Sequence, residues 1–284
     1  MPGVAQASNT FNDSTPRGPS YFELDVDVAD GVTADQLAAI TSAYLDDLQA
    51  QDYSGYTSEL DVRTDGNVFL IYDGGRPVSN RDQMLAQARS WVALRQQFGG
   101  STIGLRTTTN TAPSSGDLQL PDTADYTAVA AAVGKLATDF GELAAGDWTV
   151  TAGKQHSAEI RTSKRLPNQQ EMELWTTLNT DQSIPHADVF TINGSLTGPL
   201  WISEKISADD PDMALRLAQQ HLPIVARLPA PIVYTASNQY RGHIGFHGEA
   251  TAPVMITIGG CTTRKYRPSP AEQALIDGYE NCRG

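Results

Sequence analysis

The six residues 67–72, NVFLIY, limit the fold more than any other stretch. Side chains of an extended chain alternate between two faces. Val68, Leu70 and Tyr72 therefore share one face, and Phe69 and Ile71 share the other. A strand that is apolar on both faces needs cover on both sides and belongs inside a sheet. Asp65-Gly66, just before it, is a strong two-residue hairpin signal. Upstream of that turn, Leu60 and Val62 alternate with Glu59, Asp61 and Arg63, the pattern of a half-buried strand.

The same logic extends outward. Phe22, Leu24, Val26 and Val28 alternate with Glu23, Asp25 and Asp27. Thr33 then opens a helix, with Gln36 in capping-box position and Leu37, Ile40, Tyr44 and Leu48 as its apolar stripe. After a glycine-rich turn, Ser79 caps a second helix carrying Leu85, Ala88 and Val92, which ends at Gly99-Gly100. Residues 101–106 form a short strand. The order strand, helix, strand, strand, helix, strand over residues 21–106 is that of a split βαβ, ferredoxin-like unit.

Residues 1–20, rich in small, polar and proline residues, read as a flexible leader. Residues 107–122, TTTNTAPSSGDLQLPD, read as a linker. A second unit, 123–260, repeats the phrase helix, strand, strand. Its helices are marked by Val129, Val133 and Leu136; by Asn168 and Glu171 as a capping box; and by Asp210-Pro211, followed by Met213, Leu217, Ile224 and Leu228. Strands are predicted at 148–151, 157–162, 187–192, 200–206, 232–235, 244–246 and 254–258. Residues 261–284 form a tail with a short helix begun by Ser269 and Pro270. The predicted fold is α+β: two ferredoxin-like halves with antiparallel sheets, helices on one face and a disulfide-pinned terminal helix.

Composition bounds the function. Of 284 residues, 40% are hydrophobic and 19% charged, so the bulk of the chain folds around a core. The net charge of −13 opposes a nucleic acid as partner, because phosphate contacts require a basic surface. The two cysteines, Cys261 and Cys282, flank the terminal helix, and a disulfide between them would pin the tail. The leader and this bridge point to an extracytoplasmic protein, secreted or tethered by a segment outside this sequence; a cytoplasmic protein with a loose tail is the alternative.

No residues are assigned to catalysis, to a cofactor or to a metal. His243 and His247 are four apart, but on a strand that separation is about 13 Å, too far to share an ion. His221 lies in register with Leu217 and Ile224 and reads as a satisfied core residue without a visible partner. His156 and His186 lie in turn-like stretches and carry no signal. The ladder Glu23, Asp25 and Asp27, near Glu59 and Asp61, reads as a solvated face partly paired with Arg63 and Arg106. Gly194-Ser195-Leu196-Thr197-Gly198 lacks the spacing of a nucleophile elbow. A partner surface is sought instead at Phe69 and Ile71, which need cover, and at the basic stretch Arg264, Lys265, Tyr266 and Arg267.

The abundance of Ala, Thr, Asp and Gly suits exported proteins of high-GC bacteria. The leading expectation is a non-enzymatic binding or assembly domain of a bacterial cell envelope. It would be a membrane-associated accessory factor to a transport or cell-wall machine, with a protein partner and with lipid as a further one. One alternative is a small-ligand or lipid carrier with an apolar groove. Another is a hydrolase built from scattered carboxylates and histidines. Two carboxylates, or a carboxylate and a histidine, about 3–6 Å apart in a pocket would favour the hydrolase. An apolar cavity above roughly 300 Å³ would favour the carrier.

Overall fold

The computed structural model describes residues 1–12, 20–50, 56–74, 78–109, 114–194 and 199–282. Their strands are β1 (Val4–Asn12), β2 (Ser20–Val28), β3 (Tyr56–Thr64), β4 (Asn67–Gly74), β5 (Thr102–Thr108), β6 (Ser115–Gln119), β7 (Asp147–Thr151), β8 (Glu159–Thr162), β9 (His186–Ile192), β10 (Leu200–Ile206), β11 (Ile232–Ser237) and β12 (Met255–Ile258). The helices are α1 (Ala34–Ala50), α2 (Arg81–Gln97), α3 (Tyr126–Asp139), α4 (Gln169–Thr180), α5 (Pro211–Val225) and α6 (Pro270–Tyr279). The elements thus follow a strand, strand, helix rhythm throughout.

The strands pair in chain order, β1 to β12, in one mixed sheet. This corrects the expectation of two ferredoxin-like halves with antiparallel sheets. In a split βαβ unit the crossover leaves a gap that a later strand fills. Here β2 pairs directly and in parallel with β3, Leu24 opposite Leu60, so no gap exists. The next crossover does the same, with β4 parallel to β5. The hairpin β3–β4 is antiparallel, as its turn requires. Asp65 and Gly66 both have positive φ (46° and 77°), the pair of left-handed residues that a two-residue I′ turn needs.

The chain folds as two compact units, Met1–Pro121 with Asp139–Trp148, and Asp122–Thr138 with Thr149–Gly284. In the first, β1 forms within the stretch read as leader and pairs antiparallel with β2. Its side chains are mostly exposed, which is why it lacks an apolar alternation. Likewise β6, in the stretch read as linker, pairs with β5. The reciprocal bonds of Thr33 and Gln36 close the capping box of α1. Helix α2 starts one residue later than expected, with Asn80 rather than Ser79 at its cap. Leu60, Val62, Phe69, Ile71 and Leu105 are 0% exposed and occupy one sheet face by register. The ring of Phe69 lies 6.3 Å from that of Trp91 on α2.

In the second unit, β9 and β10 form an antiparallel hairpin. β8 pairs in parallel with β9, and β11 in parallel with β10. Asn168 and Glu171 form the capping box of α4. Asp210 accepts from the main-chain N–H groups of Asp212 and Met213 at the start of α5. That helix continues through Pro223 to Val225, and its buried face is Ala214, Leu217, Ala218, His221, Leu222 and Val225. Phe190, Ile202, Tyr234 and Ile256 are buried on one sheet face. On the opposite face, Trp201, Val233 and Met255 pack with Ile244 and Ala250 from the segment between β11 and β12 and with Tyr266 from the segment after β12. Residues 244–246 are not a strand; Ile244 makes only an isolated bridge to Ala250. Cys261 and Cys282 are joined in a disulfide, as the sequence implies.

Candidate functional site

The face of the β9–β10 hairpin that carries Phe190 and Ile202 also carries two acids. Asp188 and Glu204 stand directly opposite each other across the antiparallel pair. Both are 0% exposed. His186, two residues before Asp188, falls on the same face by alternation. Tyr234 pairs with Ile202 across β10–β11 and so points the same way. Helix α5 adds His221, four residues after Leu217 on its buried stripe. Asp181, at the end of α4, adds a half-exposed carboxylate at the edge.

These groups form a connected network. His221 Nδ1 lies 2.5 Å from Glu204 Oε1, and His221 Nε2 lies 3.3 Å from Asp181 Oδ2. The hydroxyl of Tyr234 donates to Glu204 Oε2. His186 Nδ1 lies 2.7 Å from the Ile184 carbonyl and donates to it. That leaves His186 Nε2 without a hydrogen-bond partner, 3.8 Å from Asp188 Oδ1. Neither carboxylate oxygen of Asp188 has a hydrogen-bond partner. The two imidazole rings lie 5.2 Å apart, edge to face. One donor atom each from His186, Glu204 and His221 falls within 4.8 Å of the others.

The electrostatics follow from burial and proximity. Burial raises the Asp188 carboxyl well above its ordinary range, and the charge of Glu204 adds to the effect. Burial opposes a charged His221, but its hydrogen bond to Glu204 and the nearby carboxylates outweigh that and raise it. The Tyr234 phenol is pushed far up by burial and by Glu204. Asp181 is lowered to about 2 by its hydrogen bonds with Ser183 and then with His221.

Above this network runs a groove of about 680 Å³. Tyr126, Gln155, His156, Asn179, Lys205 and Asn238 are among its lining residues, and they set polar groups into a wall whose surface is otherwise mostly apolar. His186 also lines it. The imidazole itself is 0% exposed, so it is the main chain of His186 that meets the groove and the ring that lies beneath.

The residues singled out from sequence fall elsewhere. Phe69 and Ile71 are fully buried, with Phe69 against Trp91, and offer no surface to a partner. The basic stretch is largely paired within the chain: Arg264 with Glu280, Lys265 with Glu249 and Tyr266 with Glu272. Arg267 is exposed. In the acidic ladder Arg63 pairs with Asp25 and Asp61, whereas Arg106 pairs with Asp117. Phe246, between the two loop histidines, is 96% exposed. Residues 195–198 of the elbow-like stretch lie outside the described residues.

Sequence reasoning missed the network because its members come from five separate elements. One signal was present. Asp188 shares a strand face with Phe190 and Ile192, and Glu204 shares one with Ile202 and Ile206. A lone carboxylate on an otherwise apolar strand face is expensive to bury and marks a site worth testing. Comparison of the chain with family models, with curated proteins and with solved structures finds no match.

Proposed function

We propose that this chain is an extracytoplasmic binding protein without catalytic activity, and that it binds a small polar ligand or a cation at the groove of its second unit and the charged floor beneath. One observation carries this reading: Asp188, wholly buried, with neither oxygen hydrogen-bonded, facing Glu204. A buried polar group without a partner costs free energy, and an unmatched carboxylate more so. A ligand that supplies the missing partner accounts for its presence. The disulfide supports an oxidising compartment. Among the described residues no helix is long and apolar enough to cross a membrane.

The polar side chains Gln155, His156, Asn179 and Asn238 set into the groove wall favour a small polar ligand over a lipid, which needs a continuous apolar wall. A hydrolase is the second reading. The 2.5 Å separation of His221 and Glu204 is within reach for acid–base chemistry. Burial weighs against it: the side chains of His186, Asp188, Glu204 and His221 are all 0% exposed, and admitting a substrate bond among them needs a far larger opening than admitting a single ion.

The test is a thermal-unfolding screen with two arms. One arm uses amino acids, short peptides and organic acids; the other uses divalent cations. A ligand at a hundred times its Kd stabilises by about 2.7 kcal/mol, roughly 5–10 °C for a unit of this size. We expect such a shift in at least one arm. Silence in both arms contradicts the reading.

A further inference from the structure

We propose that His186, Asp188, Glu204 and His221 form a site for one divalent first-row transition ion of the zinc class, inside the second unit. The inference rests on the reading that the groove and its floor are a binding site, and names what the floor takes.

The donors are already oriented as such a site requires. A metal-bound imidazole usually donates its other ring N–H to a carbonyl or carboxylate, which fixes the ring and the tautomer. His186 does this through Nδ1 to the Ile184 carbonyl, and its Nε2 lone pair points inward without a partner. His221 has the same outer partner available, with Nε2 3.3 Å from Asp181, while its Nδ1, now 2.5 Å from Glu204 Oε1, would exchange that hydrogen bond for the ion. Glu204 has one oxygen engaged by the Tyr234 hydroxyl and the other turned toward His221. All three ligands therefore have outer partners in place. Asp188 lies outside that three-donor cluster, with Oδ1 3.8 Å from His186 Nε2; its two oxygens are unpartnered and buried, and it would swing in to supply the fourth donor.

Charge and geometry agree. Two carboxylates placed directly opposite each other in a core repel and are costly to desolvate. A dication neutralises the pair, with both imidazoles neutral. Bonds of about 2.1 Å to a tetrahedral ion put ligand atoms about 3.4 Å apart. The donor atoms of His186, Glu204 and His221 now span up to 4.8 Å, and His221 sits 2.5 Å from Glu204. Side-chain shifts of about 1 Å close the first distance and open the second. Two imidazoles select zinc, cobalt, nickel or iron over calcium and magnesium, which take oxygen donors. Four protein ligands leave no open position, as in sites that hold an ion rather than activate water. Asp181, 40% exposed and bonded to His221, marks the way in from solvent.

The experiment is cobalt titration of the full chain after chelator treatment, followed by visible absorption, with zinc competition and metal analysis after dialysis. We expect one equivalent, bands of a tetrahedral ion and displacement by zinc. His186→Ala should weaken binding by more than about 100-fold, and the rim variant Asp181→Asn by about 10–100-fold, the usual cost of an outer partner. Circular dichroism checks that each variant folds. Asp181→Asn alters a half-exposed side chain and keeps the test open if His186→Ala does not fold. His247→Ala, at an exposed position away from the groove, should leave affinity unchanged. Absence of stoichiometric metal in folded wild type overturns the proposal, as does unchanged affinity in Asp181→Asn, or loss on removing a surface histidine. If the organic arm of the screen responds and the metal arm does not, this proposal fails while the binding reading stands.

Discussion

The two units use the same strand, strand, helix plan but fill it differently. In the first, one sheet face carries Leu60, Val62, Phe69, Ile71 and Leu105, all fully buried. Its buried polar contact with a helix is neutral, between the hydroxyls of Tyr44 and Ser58 at 2.8 Å. In the second, the corresponding apolar face of Phe190, Ile202 and Ile256 is broken by Asp188 and Glu204, with His221 of α5 hydrogen-bonded to Glu204. The fold therefore does not require these charges. Desolvating an ion costs several kcal/mol, and a well-packed apolar replacement is often neutral or stabilising. A unit that keeps such a cluster on a sheet face that its neighbour in sequence fills, among the described residues, with apolar side chains gains something other than stability from it. Binding is the account given above.

The second unit also holds a buried charge pair of a different kind, which sharpens the contrast. Arg264 meets Glu280 through two hydrogen bonds of 2.7 and 2.9 Å, with side chains 9% and 1% exposed. Glu280 in turn accepts from the main-chain N–H of Thr257. Here opposite charges match, and the pair ties the tail to β12.

The largest effect is expected in the apolar unit. Trp91→Ala removes a fully buried ring packed on Phe69 and should cost about 3–5 kcal/mol in urea unfolding. A loss under about 1 kcal/mol would mean that this face is not the apolar core described. Next comes Arg264→Met, which strands Glu280 in the interior. We expect a loss of about 3 kcal/mol, since breaking one side of a buried pair leaves an uncompensated charge. An effect near zero would remove the contrast between matched and unmatched charges.

The pH dependence of that pair gives a smaller, signed effect. Burial works to raise Glu280, but hydrogen bonds from Arg264, Thr257 and Thr262 prevail and lower it. A carboxyl depressed in the folded state contributes stability above its unfolded value and loses it as pH falls through the folded one. The stability difference between wild type and Arg264→Met should therefore narrow as pH drops below about 4.5. A gap that stays constant from neutral pH to about pH 3 would show that the charge of Glu280 does not matter.

Local signals were legible in the sequence. Thr33 with Gln36, Asn168 with Glu171 and Asp65-Gly66 each form the cap or turn that their residue types dictate. The helix, strand, strand phrase was visible as well. Strand neighbours were not. Alternation fixes which face a side chain takes but says nothing about which strand lies beside it. Leu24 next to Leu60 in parallel is thus invisible in periodicity. β1 escaped because a mostly exposed strand lacks an apolar face. The cluster was half legible. Burial of His221 could be read from its register on α5, but Glu204 lies 17 residues away and Asp181 lies 40 away. Only the pairing of β9 with β10 brings Asp188 and Glu204 together.

The central claim is that the charged cluster serves binding and not folding. Asp188→Leu tests it most directly, through unfolding in chelator and again in excess zinc. The account predicts that in chelator the variant is as stable as wild type or about 1 kcal/mol more stable, because an unmatched buried acid is gone. It also predicts that zinc stabilises wild type and that this stabilisation is lost in the variant. A variant that loses about 3 kcal/mol or more in chelator, beside a wild type that zinc leaves unchanged, would contradict the claim and return the cluster to architecture.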